Sequence, residues 1–164
     1  AYAALSQGEA ALAEHRYKKA IRFDPLDGRL RVSAAEVYLM QGKETEAFEM
    51  LDTAEDLSPD DPVSYLIRAK IAHRRGDTAE AARSYERVIT LAPYKDLEAV
   101  SGLFNVHAET GETTRAISVG MAALERFPKE AFSSFLWVDP NKEKILAERE
   151  MLEKAIQKLR STQL

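Results

Sequence analysis

The sequence predicts an all-α fold of helix pairs stacked in series, and three observations carry that prediction. Glycines recur at Gly8, Gly42, Gly76 and Gly111, spaced 34, 34 and 35 residues apart. Each is followed 17 residues later by a proline: Pro25, Pro59, Pro93 and Pro128. Between them an alanine always stands 12 residues before the proline, at Ala13, Ala47, Ala81 and Ala116. So regular a period marks one supersecondary unit that has been copied, each copy burying its apolar face against its neighbours.

Taken in order, the first copy (residues 1–25) begins partway along its first helix at Ala1 and is stopped by Pro25. The second, residues 26–59, opens at Asp27, and Ala47, Met50, Leu51, Ala54 and Leu57 form the inner stripe of its second helix. The third, residues 60–93, is the clearest. Asp61 can accept hydrogen bonds from the first free amides, and Pro62 at the first helical position loses no useful donor. Leu66, Ile67, Ala69, Ile71 and Ala72 then cover one side of a helix over 63–74. Gly76 ends it in the left-handed conformation that costs glycine least. Asp77 and Glu80 make a capping box for the next helix, whose Ala81, Tyr85 and Val88 keep helical spacing until Pro93 stops it. The fourth copy, residues 94–128, carries one extra residue, which we assign to the loop at 94–97.

These units resemble the tetratricopeptide repeat family, whose 34-residue pattern sets a large aromatic four residues after the alanine and a proline eight further on. The match reads Ala13-Tyr17-Pro25, Ala47-Leu51-Pro59, Ala81-Tyr85-Pro93 and Ala116-Gly120-Pro128. Tyr65 and Tyr38 fit the first-helix positions, while Arg31 and Val100 replace the family's tryptophan. The resemblance implies a right-handed superhelical solenoid of antiparallel helix pairs. Gly120 is the exception inside a helix, where glycine costs about 1 kcal/mol relative to alanine. A bulky side chain from the C-terminal segment, Phe132, Phe135 or Trp137, is expected over it.

After Pro128 the register fails. A short helix over 131–138 is expected, then a capping helix from Asp139-Pro140 to about Arg160, so that 129–164 closes the array. Ile145, Leu152, Ile156 and Leu159 line one side of that helix. The seven-residue spacing of Ile145, Leu152 and Leu159 offers the alternative of a self-association seam.

Composition narrows the function. The chain has 164 residues, 45% of them apolar and 30% charged, which describes a soluble globular class. A net charge of −4 supplies no field to attract nucleic acid, and no apolar run approaches a membrane span. Cysteine is absent, so disulfides and thiolate chemistry are excluded. The compartment is left open, since a targeting segment would stand before Ala1. His15, His73 and His107 are far apart, and no phosphate loop, metal motif or nucleophile elbow occurs. The expectation is a protein without catalytic residues, cofactor or metal.

The resemblance also implies a concave groove lined by the first helices, which would receive an extended peptide or a helix of another protein. Position by position it offers Tyr2 and Leu5; then Arg29, Val32, Glu36, Leu39 and Met40. The third copy adds Val63, Leu66, Lys70, His73 and Arg74, and the fourth Glu98, Ser101, Asn105 and Glu109. Val32, Leu39, Met40 and Leu66 would form an apolar patch, and Lys70, His73 and Arg74 would face a partner of acidic character. Arg68 and Arg75 are read as solvated. The sequence therefore predicts a binding module or scaffold. Its alternatives are a self-assembling homo-oligomer, and the docking domain of a larger enzyme or secretion-type assembly.

Overall fold

A computed structural model of the chain describes residues 7–92, 97–126 and 142–162. Those residues form eight helices: α1 Gln7–Phe23, α2 Gly28–Met40, α3 Glu44–Leu57, α4 Pro62–Arg75, α5 Thr78–Leu91, α6 Leu97–Glu109, α7 Thr113–Arg126 and α8 Lys142–Ser161. No strand occurs among them, so the all-α class stands. The chain groups into two compact units, Ala1–Ile71 and Ala72–Leu164. The helix expected over 131–138, the groove residues Tyr2 and Leu5, the prolines Pro93 and Pro128 and the loop residues 94–96 lie outside the described residues.

The helix starts follow local chemistry. Asp27 caps α2 by accepting from the Arg29 amide at 2.9 Å, and Asp61 accepts from the Val63 amide at 3.0 Å. Asp77 accepts from the Glu80 amide at 3.1 Å, which is half of the expected capping box. The Glu80 carboxylate turns instead to Arg83 at 2.6 Å and to the Ser84 hydroxyl at 3.3 Å.

The helix ends are three copies of one turn. Gly42, Gly76 and Gly111 have φ of 71°, 77° and 78°. Behind them the amides of Lys43, Asp77 and Glu112 bond back to the carbonyls of Tyr38, Ala72 and His107 at 2.9, 2.9 and 2.8 Å. This is the Schellman arrangement, and it satisfies carbonyls that a helix end would otherwise leave bare. Gly8, first in the glycine series, lies one residue into α1 and is not in this left-handed set.

In the first unit α1 packs on α2 and α2 on α3. Its core gathers Val32, Ala35, Tyr38, Ala47, Leu51, Ile67 and Ile71. In the second unit α5 packs on α6, α6 on α7, and α8 on both α6 and α7. Its core joins Val100, Phe104, Ala116 and Ala123 to Leu152 and Ile156 of α8. Ala47, Ala81 and Ala116 are fully buried, in keeping with a residue this small recurring there.

Two glycines of the second unit are contact points. A Cβ on Gly102 of α6 would lie 2.3–2.7 Å from ring carbons of Tyr85, so the tyrosine of α5 rests on bare backbone. At Gly120 of α7, a Cβ would lie 2.7 Å from Ile156 Cδ1 and 3.2 Å from Phe104 Cδ2. The C-terminal segment does supply a bulky side chain there. It is the aliphatic Ile156; Phe132, Phe135 and Trp137 lie outside the described residues.

Candidate partner-binding surfaces

Along α2 the expected groove positions have separate fates. Val32 is only 6% exposed and belongs to the core of the first unit, so it adds nothing to an open patch. Leu39 is half-buried and packs against that same core. Met40, one residue further, is exposed. Arg29 projects into solvent beside Asp27, at 3.1 Å. The Arg29 guanidinium holds the Asp27 carboxyl below its ordinary value, and the carboxylate in turn raises the arginine. Glu36 is half-buried.

On α4 four of the expected positions are exposed or half-buried. Val63 is exposed, Leu66 and Lys70 are half-buried, and Arg74 is exposed. Spacings of three, four and four residues put these four on one stripe, apolar toward the N-terminus and basic toward the C-terminus. Arg68 departs from its expected place in solvent. It is 11% exposed, lies 2.9 Å from Glu55 and 2.5 Å from Asp52 of α3, and stacks its guanidinium 5.2 Å from the Phe48 ring centre. Burial opposes its charge, but Glu55 and Asp52 outweigh that and raise its pKa. Arg68 therefore ties α4 to α3 within the first unit.

In the second unit the polar groove positions are largely engaged. His73 Nε2 is 2.8 Å from Glu109, and its ring meets Tyr85 edge-on at 6.4 Å. Glu98 lies 3.5 Å from Lys144 of α8, which raises the lysine's pKa. The Ser101 hydroxyl oxygen is buried with no hydrogen-bond partner among the described residues, while Asn105 is exposed. The α8 stripe is turned inward: Leu152 and Ile156 are 3% and 2% exposed, and Ile145 and Leu159 pack beside them. Among the described residues these four serve the unit's own core, Leu152 and Ile156 fully and Ile145 and Leu159 in part.

Sequence reasoning missed a polar cluster between α1, α2 and α3. Glu14 receives Lys18 at 2.6 Å and Lys43 at 2.8 Å. Both ammonium groups also lie over the Tyr38 ring, at 5.9 and 5.7 Å from its centre. Hydrogen bonds from Lys18 and then Lys43 pull the Glu14 pKa down to about 2. The i,i+4 spacing of Glu14 and Lys18 was legible; the arrival of Lys43 depends on the packing of the helices. A cavity of about 440 Å³ opens beside this cluster. In the second unit, a cavity of about 410 Å³ lies between α5, α6 and α7.

Among the described residues no group of three or more potential metal ligands converges, and no helix is long and apolar enough to cross a membrane. A family model for the tetratricopeptide repeat matches residues 1–62 and 66–131, most of the chain. The chain belongs to the tetratricopeptide repeat family. Its repeats make it, in general terms, a protein–protein interaction scaffold. Among solved structures this repeat chain is similar to a crystal structure of MamA, at 20% identity over 96% of this chain and 90% of that one, with a TM-score of 0.67. A second crystal structure of MamA gives 21% identity over 93% and 82%, with a TM-score of 0.67. Likeness at that identity concerns the fold alone. No curated protein matches the sequence.

Proposed function

We propose that this tetratricopeptide repeat chain is a noncatalytic adaptor that binds an extended peptide or a helix of a partner protein along its first helices. One observation supports the reading above others: Val63, Leu66, Lys70 and Arg74 form a partly exposed stripe on α4, apolar at one end and basic at the other. Apolar area there, with exposed Met40 on α2, would supply affinity. Lys70 and Arg74 would orient an acidic partner, with Arg74 suited to bidentate pairing. In this reading α8 acts as the cap of the array, its apolar side buried and its charged side in water.

The test needs a partner identified by cross-linking in cells and then purified. Lys70→Glu with Arg74→Glu should weaken its binding at least about tenfold, the scale of losing one or two charge-assisted bonds. Unchanged affinity in a calorimetric titration would remove the basic half of the proposal. Val63→Asp with Leu66→Asp tests the apolar half in the same assay.

A further inference from the structure

The 440 Å³ cavity of the first unit opens on the opposite side of α2 from the positions Arg29, Val32, Glu36 and Leu39. Residues 31, 34 and 38 of α2 reach it, together with residues from α1 and α3. Ile21, Ala34, Met50 and Tyr38 make its apolar part. Its charged lining is Glu14, Lys18, Arg22 and Arg31: one carboxylate against three cations, a local charge of +2 in a chain of net charge −4.

The charges there are not equally engaged. Glu14 and Lys18 satisfy each other, and Lys43 completes their cluster. The Arg22 side chain makes no hydrogen bond or ion pair with any described residue. Arg31 makes one long bond, 3.4 Å, to the Asp27 carbonyl. Two guanidinium groups with unused donors thus border a cavity in which the one carboxylate among the described lining residues already binds Lys18 and Lys43. Its volume falls within the ~300–1,000 Å³ typical of ligand pockets.

The repeat itself shows that packing does not require these cations. Two repeats along, the register sets Glu86 where Lys18 stands, Thr90 for Arg22 and Val100 for Arg31, and all three line the equivalent cavity of the second unit. Ile21 and Ile89 correspond, as do Met50 and Val119. The helices pack in both units; the cation pair occurs in one.

We propose that this cavity is a binding site for an acidic peptide segment of a partner protein. A carboxylate is held between Arg22 and Arg31, and a neighbouring aliphatic side chain inserts against Ile21, Met50 and Tyr38. Charge complementarity selects the acidic residue, since the planar forks of two arginines match carboxylate oxygens. The apolar wall selects its neighbour. This site goes beyond the adaptor surface on α4 and stands or falls separately from it.

The test is a titration of the isotope-labelled chain, followed by amide and arginine Nε resonances. The probe is acetyl-Leu-Glu-Leu-Glu-amide, compared with acetyl-Leu-Gln-Leu-Gln-amide. Saturable shifts are expected on α1, α2 and residues 50–53, about tenfold weaker for the glutamine peptide. Arg22→Gln with Arg31→Gln should cost about tenfold or more, whereas Lys19→Gln, outside the cavity, should leave binding unchanged. Arg22→Thr with Arg31→Val imports the side chains of the second unit and tests the same loss in a background the repeat already tolerates. Equal binding of the glutamine peptide, or full affinity in either double variant, overturns the proposal. So do peptide shifts confined to α4, which leave the adaptor surface standing. Tighter saturation of the same resonances by inorganic phosphate overturns the peptide assignment.

Discussion

Leu51 of the first unit and Gly120 of the second hold the same place in their repeats, four residues after a fully buried alanine. Leu51 fills its surroundings with its own side chain and is completely buried. Gly120 brings nothing, and the volume above it is taken by Ile156 from α8 and Phe104 from α6. The repeat thus specifies a volume to be occupied rather than the residue that occupies it. The first unit meets that demand from within the repeat; the second uses the opening to seat its last helix.

The largest way to break the comparison is Leu51→Ala, which empties a fully buried site in the core of the first unit. A loss of about 2–5 kcal/mol is expected in denaturant unfolding. Gly102→Ala should follow at about 1–3 kcal/mol, because the buried Tyr85 ring must move to admit the new methyl group. Gly120→Ala is smaller. Helix propensity favours the change by about 1 kcal/mol, and the contact with Ile156 opposes it. A net fall in melting temperature is expected, reversed to a gain when Ile156→Ala is introduced as well. A gain with Ile156 left in place would show that α8 does not rest on that glycine.

The smallest effect sharpens the contrast in charge. Glu14 has Ala82 as its counterpart two repeats on, so its ion cluster belongs to the first unit alone. Its pKa is lowered from 4.5 to about 2 by Lys18 and Lys43. The unfolded chain therefore takes up the proton first as pH falls. The stabilisation is complete above about pH 4.5 and is lost as pH drops toward 2. Glu14→Gln should lower the melting temperature at pH 7, with the difference from the native chain vanishing over that interval. A difference unchanged at pH 2 would assign the loss to packing.

Much of the fold was legible because it rests on local rules. Asp61, Pro62 and Gly76 predicted a helix over 63–74, and α4 runs Pro62–Arg75. The surface was less legible, since exposure depends on which helix packs alongside. Val32 and Met40 are both apolar positions on α2, yet one is core and the other exposed. Arg68 read as solvated because its partners, Asp52 and Glu55, sit on another helix. Arg31 drew notice only as a departure from the repeat pattern. Its place with Arg22 around one cavity requires α1 and α2 to be in register.

The three left-handed turns at Gly42, Gly76 and Gly111 carry a consequence for how such a chain changes over time. Their joints are interchangeable, each with the same cap geometry and nearly the same φ. A recombination that cuts at one glycine and rejoins at another delivers the following helix to an end already shaped to receive it. Gain or loss of a whole repeat cut at these glycines would therefore leave each of the three turns chemically intact, whereas a slip that moves the glycine itself out of the turn would spoil its cap. These glycines are the places where a whole repeat could be added or removed with every helix end still capped.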